Sequence, residues 1–175
     1  LKTNLTSAMI DRITLNDERI EGIALSLDEI IKLDNPIGKI ISEWKRPNGL
    51  IFQKITVPIG VIGIIYESRP NVTVDASAIS IKSGNVVILR GGKDCFHTSL
   101  KLYQILDQAF NLAKLPKNIV QMVPIIDREA VDSMLKLDSF IDIIIPRGGK
   151  GLIKNIKEKS SIPVIKHLDG ICHIY

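Results

Sequence analysis

Four short apolar runs constrain this chain more than any other feature. Ile59-Gly60-Val61-Ile62-Gly63-Ile64-Ile65-Tyr66, Asn85-Val86-Val87-Ile88-Leu89, the stretch 118–124 and Phe140 to Ile145 have the length of strands rather than helices. Their continuous hydrophobicity marks strands covered on both faces. Helical patterns lie between them: Val74 to Ser83, a long helix with Phe96, Leu100, Tyr103, Leu106, Phe110 and Ala113 along one side, residues 128–137, and a helix running to about Lys159. Ile162 to Ile165 reads as a further short strand, and Cys172 to Tyr175 as the start of another. Such alternation predicts an α/β fold, an open and mostly parallel sheet with helices on both faces. The 175 residues are 45% hydrophobic and 24% charged, enough for a real core, which excludes a disordered chain. Aromatics make up only 5%, so the core is aliphatic and a stacking platform for single-stranded nucleic acid is not expected.

The first part of the chain follows a different pattern. Asn16 can cap a helix that begins with Asp17 and Glu18 and carries Ile20, Ile23, Ala24, Leu27, Ile30 and Ile31 at helical spacing. Asp34-Asn35-Pro36-Ile37-Gly38 stops it. Pro47-Asn48-Gly49 then breaks two short segments into a hairpin whose second arm, Leu50 to Val57, alternates like a half-buried strand. Residues 1–57 therefore read as a helical and short-strand extension, and 58–175 as the α/β domain.

The formal charge is only +4, and Lys150, Lys154 and Lys157 form a stripe that suits a solvated helix face. Two cysteines, Cys95 and Cys172, make no paired motif and imply a reducing compartment. No run is long enough for a bilayer span and no secretory leader opens the chain, so a cytoplasmic protein without membrane or nucleic-acid partners is expected. Cys95-Phe96-His97 and Cys172-His173 lack metal-ligand spacing, and no metal is expected. Cys95 at a helix start suits a packed thiol better than an activated one.

Ligands in open parallel sheets bind outside the carboxyl ends of the strands, which directs attention to three turns. In Glu67-Ser68-Arg69-Pro70-Asn71, proline and asparagine can simply fix a turn. Alternatively, the Asn71 amide can donate to a developing oxyanion and the Arg69 fork can hold a carboxylate or phosphate. Arg90-Gly91-Gly92-Lys93 is either a plain glycine turn or a place where backbone approaches a bulky anion between two cations. Pro146-Arg147-Gly148-Gly149-Lys150-Gly151 leads into a helix whose unpaired amides can receive an anion. Neither G-x-G-x-x-G nor G-x-x-x-x-G-K-[ST] occurs, and no G-x-S-x-G marks a hydrolase elbow.

Long strings through the chain resemble one family. These are Val57 to Asp75 (VPIGVIGIIYESRPNVTVD), Gly84 to Lys93 (GNVVILRGGK), Ile141 to Gly149 (IDIIIPRGG), Ile162 to Tyr175 (IPVIKHLDGICHIY) and Ser7 to Arg12 (SAMIDR). They resemble the gamma-glutamyl phosphate reductases, or glutamate-5-semialdehyde dehydrogenases, of the aldehyde dehydrogenase superfamily. The resemblance implies NADPH-dependent reduction of L-glutamate 5-phosphate to the semialdehyde in proline synthesis. A cysteine thiolate there attacks the acyl phosphate, and the thioester accepts hydride. It also implies an oligomerisation role for the extension, a homo-oligomer, and functional coupling to glutamate 5-kinase.

By the same resemblance Arg90, Gly91, Gly92 and Lys93 face the adenosine ribose of NADP(H). Lys93 stands where the superfamily carries a glutamate, and so suits the 2′-phosphate. Arg147, Gly148 and Gly149 face the pyrophosphate, and Asn71 is the candidate oxyanion donor. His167 falls near a glutamate that activates water elsewhere. The family's nucleophilic cysteine lies beyond the Cys-His-Ile-Tyr string, and neither Cys95 nor Cys172 matches its motif. The catalytic domain, and segments that precede Leu1 in the family, are therefore expected outside these 175 residues. The alternative is an inactive remnant that at most binds NADP.

Overall fold

The computed structural model describes residues 6–166. Four of its strands, β3 (Val61–Tyr66), β4 (Val86–Gly91), β5 (Val120–Met122) and β6 (Ile143–Arg147), form a parallel sheet in the order β5-β4-β3-β6. The predicted α/β architecture is thus present, with α3 (Val72–Lys82), α4 (Phe96–Leu112), α5 (Arg128–Met134) and α6 (Lys150–Lys159) between and after the strands. Alternation along β3 explains the two cores. Ile62, Ile64 and Tyr66 join Val87, Leu89, Phe96 and Met122 on one side. Ile65 joins Met134, Leu135, Ile144 and Ile156 on the other. Val87 and Leu89 are fully buried, and each such side chain contributes about 1.5–3 kcal/mol.

The amino-terminal edge of the sheet is tied by two polar side chains. The Asn85 Oδ1 accepts from the amides of Ile59 at 2.7 Å and Gly60 at 3.0 Å, while its Nδ2 donates to the Ser83 carbonyl and hydroxyl. Asp142 accepts from the Val61 amide at 2.7 Å, joining the start of β3 to the approach to β6. Gly60 at φ +126° leaves room for that carboxylate, whose Oδ2 would lie 2.1 Å from a Cβ there.

Several boundaries move from those expected. Arg90 and Gly91 belong to β4, and Pro146 and Arg147 to β6, because parallel pairing with β3 continues to Tyr66. Proline is tolerated there because, among the described residues, β3 alone pairs with β6 at that level. The expected strand at 118–124 shortens to Val120–Met122, the helix at 128–137 ends at Met134, and the expected strand at 162–165 is a single bridge between Val164 and Ile144. The expected strand at Cys172 to Tyr175 lies outside the described residues.

Ahead of the sheet come α1 (Ser7–Ile13), α2 (Asp17–Lys32) and a hairpin of β1 (Ile40–Lys45) and β2 (Ile51–Ile55). Asn16 caps α2 as expected, accepting from the Arg19 amide at 2.9 Å. Arg19 also clamps α1: its Nη2 meets Asp11 at 2.6 Å and its Nη1 donates to the carbonyls of Asp11 and Thr14. Ser26 reaches Asp75 of α3 at 2.8 Å, and Lys82 donates to the Ile31 carbonyl, so α2 is fastened to α3. The hairpin departs from expectation. Both strands are exposed throughout rather than half-buried, since no described element covers either face, and Trp44 stacks on Phe52 at 5.6 Å.

Gly63 reports how closely the second core is packed. A Cβ there would lie 2.5 Å from Ile144 Cδ1 and 2.7 Å from Met134 Cε. Gly63→Val should lower stability by about 1–3 kcal/mol in chemical denaturation; an unchanged midpoint would show a loose fit beneath α5.

Candidate functional site

Register places the carboxyl ends of three strands side by side. Tyr66 pairs with Gly91 on one flank and with Arg147 on the other, so β4, β3 and β6 leave the sheet at one level. The Glu67 amide extends this by donating to the Arg147 carbonyl at 3.0 Å. The strand order turns back at β3, with β4 and β5 to one side and β6 to the other, which makes this the expected ligand edge.

Three cavities open along that edge. One of about 520 Å³ is lined by Gly92, Lys93, Asp94, Arg90 and Arg128. One of about 270 Å³ is lined by Ser68, Arg69, Arg147, Gly148 and Gly149. A third of about 350 Å³ lies between α5 and α6, lined from Gly151 to Lys159 on the latter. Glu67 lines all three. Its carboxylate accepts from the Gly149 amide at 3.2 Å, so it sits at the positive end of α6. Gly149 is the N-cap of α6 with no side-chain cap, and its Cα faces open space.

Arg90 is only 7% exposed. Its Nη1 donates to the Gly91 carbonyl and its Nη2 to those of Ile126 and Asp127, which ties the approach to α5 against β4. The Nε has no hydrogen-bond partner. Burial pulls the pKa of this guanidinium down, and the Glu67 carboxylate opposes that pull. Lys93 is exposed beyond it, at the mouth of the largest cavity of this edge. Gly91 is closely packed, since a Cβ there would lie 3.2 Å from Tyr66 Oη.

Asn71 is not brought to this group. Its Nδ2 donates to Asp75 at 3.1 Å, and it lines a separate cavity with Arg12, Asn16, Arg19 and Ser26. Cys95 is a packed thiol, as expected: it lies in the first core and accepts weakly from Ser99 at 3.6 Å, and burial pushes its pKa up. His167 and Cys172 lie outside the described residues. Among the described residues no three His, Cys, Asp or Glu side chains gather as metal ligands, and no helix is long and apolar enough to cross a membrane.

Two participants were not singled out in the sequence. Glu67 directly follows a buried strand, the position that general rules favour, but its role depends on where Gly149 folds. Arg12 gives no local signal, since only the clamp on α1 brings it near the sheet edge. Ser68 is also unusual: it adopts φ +50°, a left-handed conformation rare outside glycine, and its hydroxyl donates to Asp94.

The fold is shared with known proteins. The model of the aldehyde dehydrogenase family matches residues 18–169. The gamma-glutamyl phosphate reductase of Paramagnetospirillum magneticum is 52% identical over 171 residues, covering 98% of this chain and 40% of that protein. That of Brucella suis is 48% identical over 175 residues, covering 99% and 42%. The crystal structure of the Thermotoga maritima gamma-glutamyl phosphate reductase superposes with a TM-score of 0.90 at 37% identity, covering 93% of this chain and 39% of that one. The Saccharomyces cerevisiae enzyme gives 0.86 at 33%, covering 98% and 44%. An engineered glycolyl-CoA reductase with bound NADP+ shares the fold, with a TM-score of 0.65 at 22% identity and coverage of 93% and 42%. The chain thus spans about two fifths of the length of the relatives it matches.

Burial beneath the site gives a pH dependence. Burial pushes both the Tyr66 phenol, which shares a 2.7 Å hydrogen bond with Thr73, and the Cys95 thiol above their ordinary values of 10.0 and 9.0. The folded protein therefore holds protons that the unfolded chain releases. Their stabilisation is complete below about pH 9 and is lost as pH rises through the raised folded values. Melting temperature should fall above that pH, with a shallower fall in Tyr66→Phe; a flat profile contradicts it. At pH 8, iodoacetamide should modify Cys95 in urea but not in the native protein.

Proposed function

The chain belongs to the aldehyde dehydrogenase family, and from that premise we propose that it supplies the NADP(H)-binding part of a gamma-glutamyl phosphate reductase. The complete protein reduces L-glutamate 5-phosphate to L-glutamate 5-semialdehyde, a step of proline biosynthesis, with release of phosphate. Residues 58–175 are its cofactor domain, and residues 1–57 its oligomerisation-type extension. The protein is a cytoplasmic homo-oligomer functionally coupled to glutamate 5-kinase.

One observation carries this reading: the turns of the matched strings that begin at Gly92 and at Gly148 emerge at the same level from parallel strands flanking β3, since Gly91 and Arg147 both pair with Tyr66. That is where a dinucleotide laid across the strand ends has its ribose at one turn and its pyrophosphate at the other. The residues suit it. Gly92 lets backbone lie close, since a Cβ there would meet Asp94 at 2.5 Å and the Glu67 Cα at 3.3 Å. The Gly149 amide and the start of α6 offer donors to a phosphate once Glu67 swings away. Lys93, exposed at its cavity, supplies a cation for a 2′-phosphate. Arg90 serves from behind: its three carbonyl contacts fix the end of β4 so that Gly92 and Lys93 are presented in one geometry. Asn71 keeps the oxyanion-donor role only if substrate takes it from Asp75. The bound cofactor supplies the hydride.

The test is cofactor choice. Lys93→Glu in the full-length protein should weaken NADPH binding by 10-fold or more, the equivalent of about 1.4 kcal/mol or more. NADH binding should change little. Equal losses for both cofactors, read by fluorescence titration, would remove the 2′-phosphate role from Lys93.

A further inference from the structure

Beneath the sheet edge lies a cluster of polar side chains that the proposed chemistry does not use. Tyr66 at the end of β3, Thr73 and Ser77 in α3, and Ser99 in α4 are 0% exposed, and Cys95 just before α4 is 2% exposed. Tyr66 shares its 2.7 Å hydrogen bond with Thr73 in the first turn of α3, where the Ser77 hydroxyl donates to the Thr73 carbonyl at 2.6 Å. On the other side the Ser99 hydroxyl lies beside the Tyr66 phenol and donates to the Cys95 sulfur at 3.6 Å. The Cys95 thiol in turn donates to the Gly92 carbonyl at 3.7 Å, and the Arg69 amide faces the same sulfur. A polar thread therefore runs from the start of α3, past the end of β3, to the turn after β4.

Packing alone does not require these hydroxyls. Ile62 and Ile64, which share the face of β3 with Tyr66, are aliphatic, and a phenyl ring would fill the same space. A buried phenol costs free energy unless it is partnered, and this chain brings its partners from two helices. A satisfied network in a low-dielectric core fixes one geometry, because a shift of any element leaves a donor or acceptor unmatched. Tyr66 also lies tight beneath β4, since a Cβ on Gly91 would come within 3.2 Å of its Oη. The elements so fastened carry Asn71, two residues before Thr73, and Lys93, directly after Gly92.

We propose that Tyr66 and Thr73 are positioning residues, whose buried hydroxyl pair holds the start of α3 and the turn at Gly92 in one fixed relation. Neither lines a cavity of the sheet edge, so they act on a bound cofactor only through the backbone above them. The link to cofactor binding rests on the reductase reading; the fastening of α3 to the turn does not.

The experiment uses full-length protein with Tyr66→Phe, Thr73→Val, the double variant and Thr73→Ser, and Gly63→Val as a control in the other core. The Kd of NADP+ is read at a temperature where melting curves show every variant folded. Tyr66→Phe and Thr73→Val should each raise it about 3- to 10-fold, and the double variant no more than Thr73→Val alone. Thr73→Ser, which keeps the hydroxyl, should stay within twofold of wild type, as should Gly63→Val. Values within twofold in both Tyr66→Phe and Thr73→Val overturn the positioning role. So does a rise in Thr73→Ser or Gly63→Val equal to that in Thr73→Val. Should the wild type bind no NADP+, the cofactor reading falls and amide hydrogen exchange decides. Faster exchange in Tyr66→Phe at both residues 71–75 and residues 92–93, with neither changed in Gly63→Val, upholds the fastening. An unchanged rate at either segment of Tyr66→Phe overturns it.

Discussion

In-register pairing of β3 with both of its neighbours is the constraint on which the site depends. Tyr66 stands beside Gly91 and Arg147, so two glycine turns and the Glu67 turn leave the sheet together. A slip of one residue on either flank would invert the faces of a strand, bury charge, and carry one turn out of reach. The opposite edge guards against this slip. Asn85 and Asp142 bind backbone amides at the start of β3, setting where both pairings begin. Polar side chains at one end of the sheet thereby position glycines at the other.

The electrostatics of the edge are organised around one carboxylate. Glu67 faces the start of α6, acts on buried Arg90 and borders every cavity of the edge. Burying Arg90 is costly unless its donors are matched, and the carbonyls of Gly91, Ile126 and Asp127 match two of its nitrogens. The left-handed backbone at Ser68 carries a cost of about 1–3 kcal/mol. The Ser68–Asp94 hydrogen bond offsets part of it and ties the turn after β3 to the turn after β4.

Most of the sheet was legible because strands buried on both faces write unbroken apolar strings. Ile62 to Tyr66 and Val86 to Leu89 could be little else, and Asn16 before Asp17 and Glu18 announced its helix through elementary capping chemistry. The glycine turns were legible as places, although β4 and β6 each take in residues assigned to the turns. What could not be read was tertiary. Nothing around Asn71 shows that Asp75 will occupy its amide, and nothing around Arg12 shows that α1 comes to the sheet edge. The alternation in Leu50 to Val57 suggested a covered face, but alternation records a pattern and not a partner. Both faces of that hairpin are open among the described residues.

The stacked pair on the hairpin has a practical consequence. Trp44 is the chain's sole tryptophan, 45% exposed against Phe52, and it borders none of the cavities at the sheet edge. Its emission is therefore an optical label for the hairpin alone. A blue shift on raising protein concentration would report that another surface has covered the hairpin. Changes at the glycine turns would pass without direct quenching, so the signal follows the hairpin separately from the site.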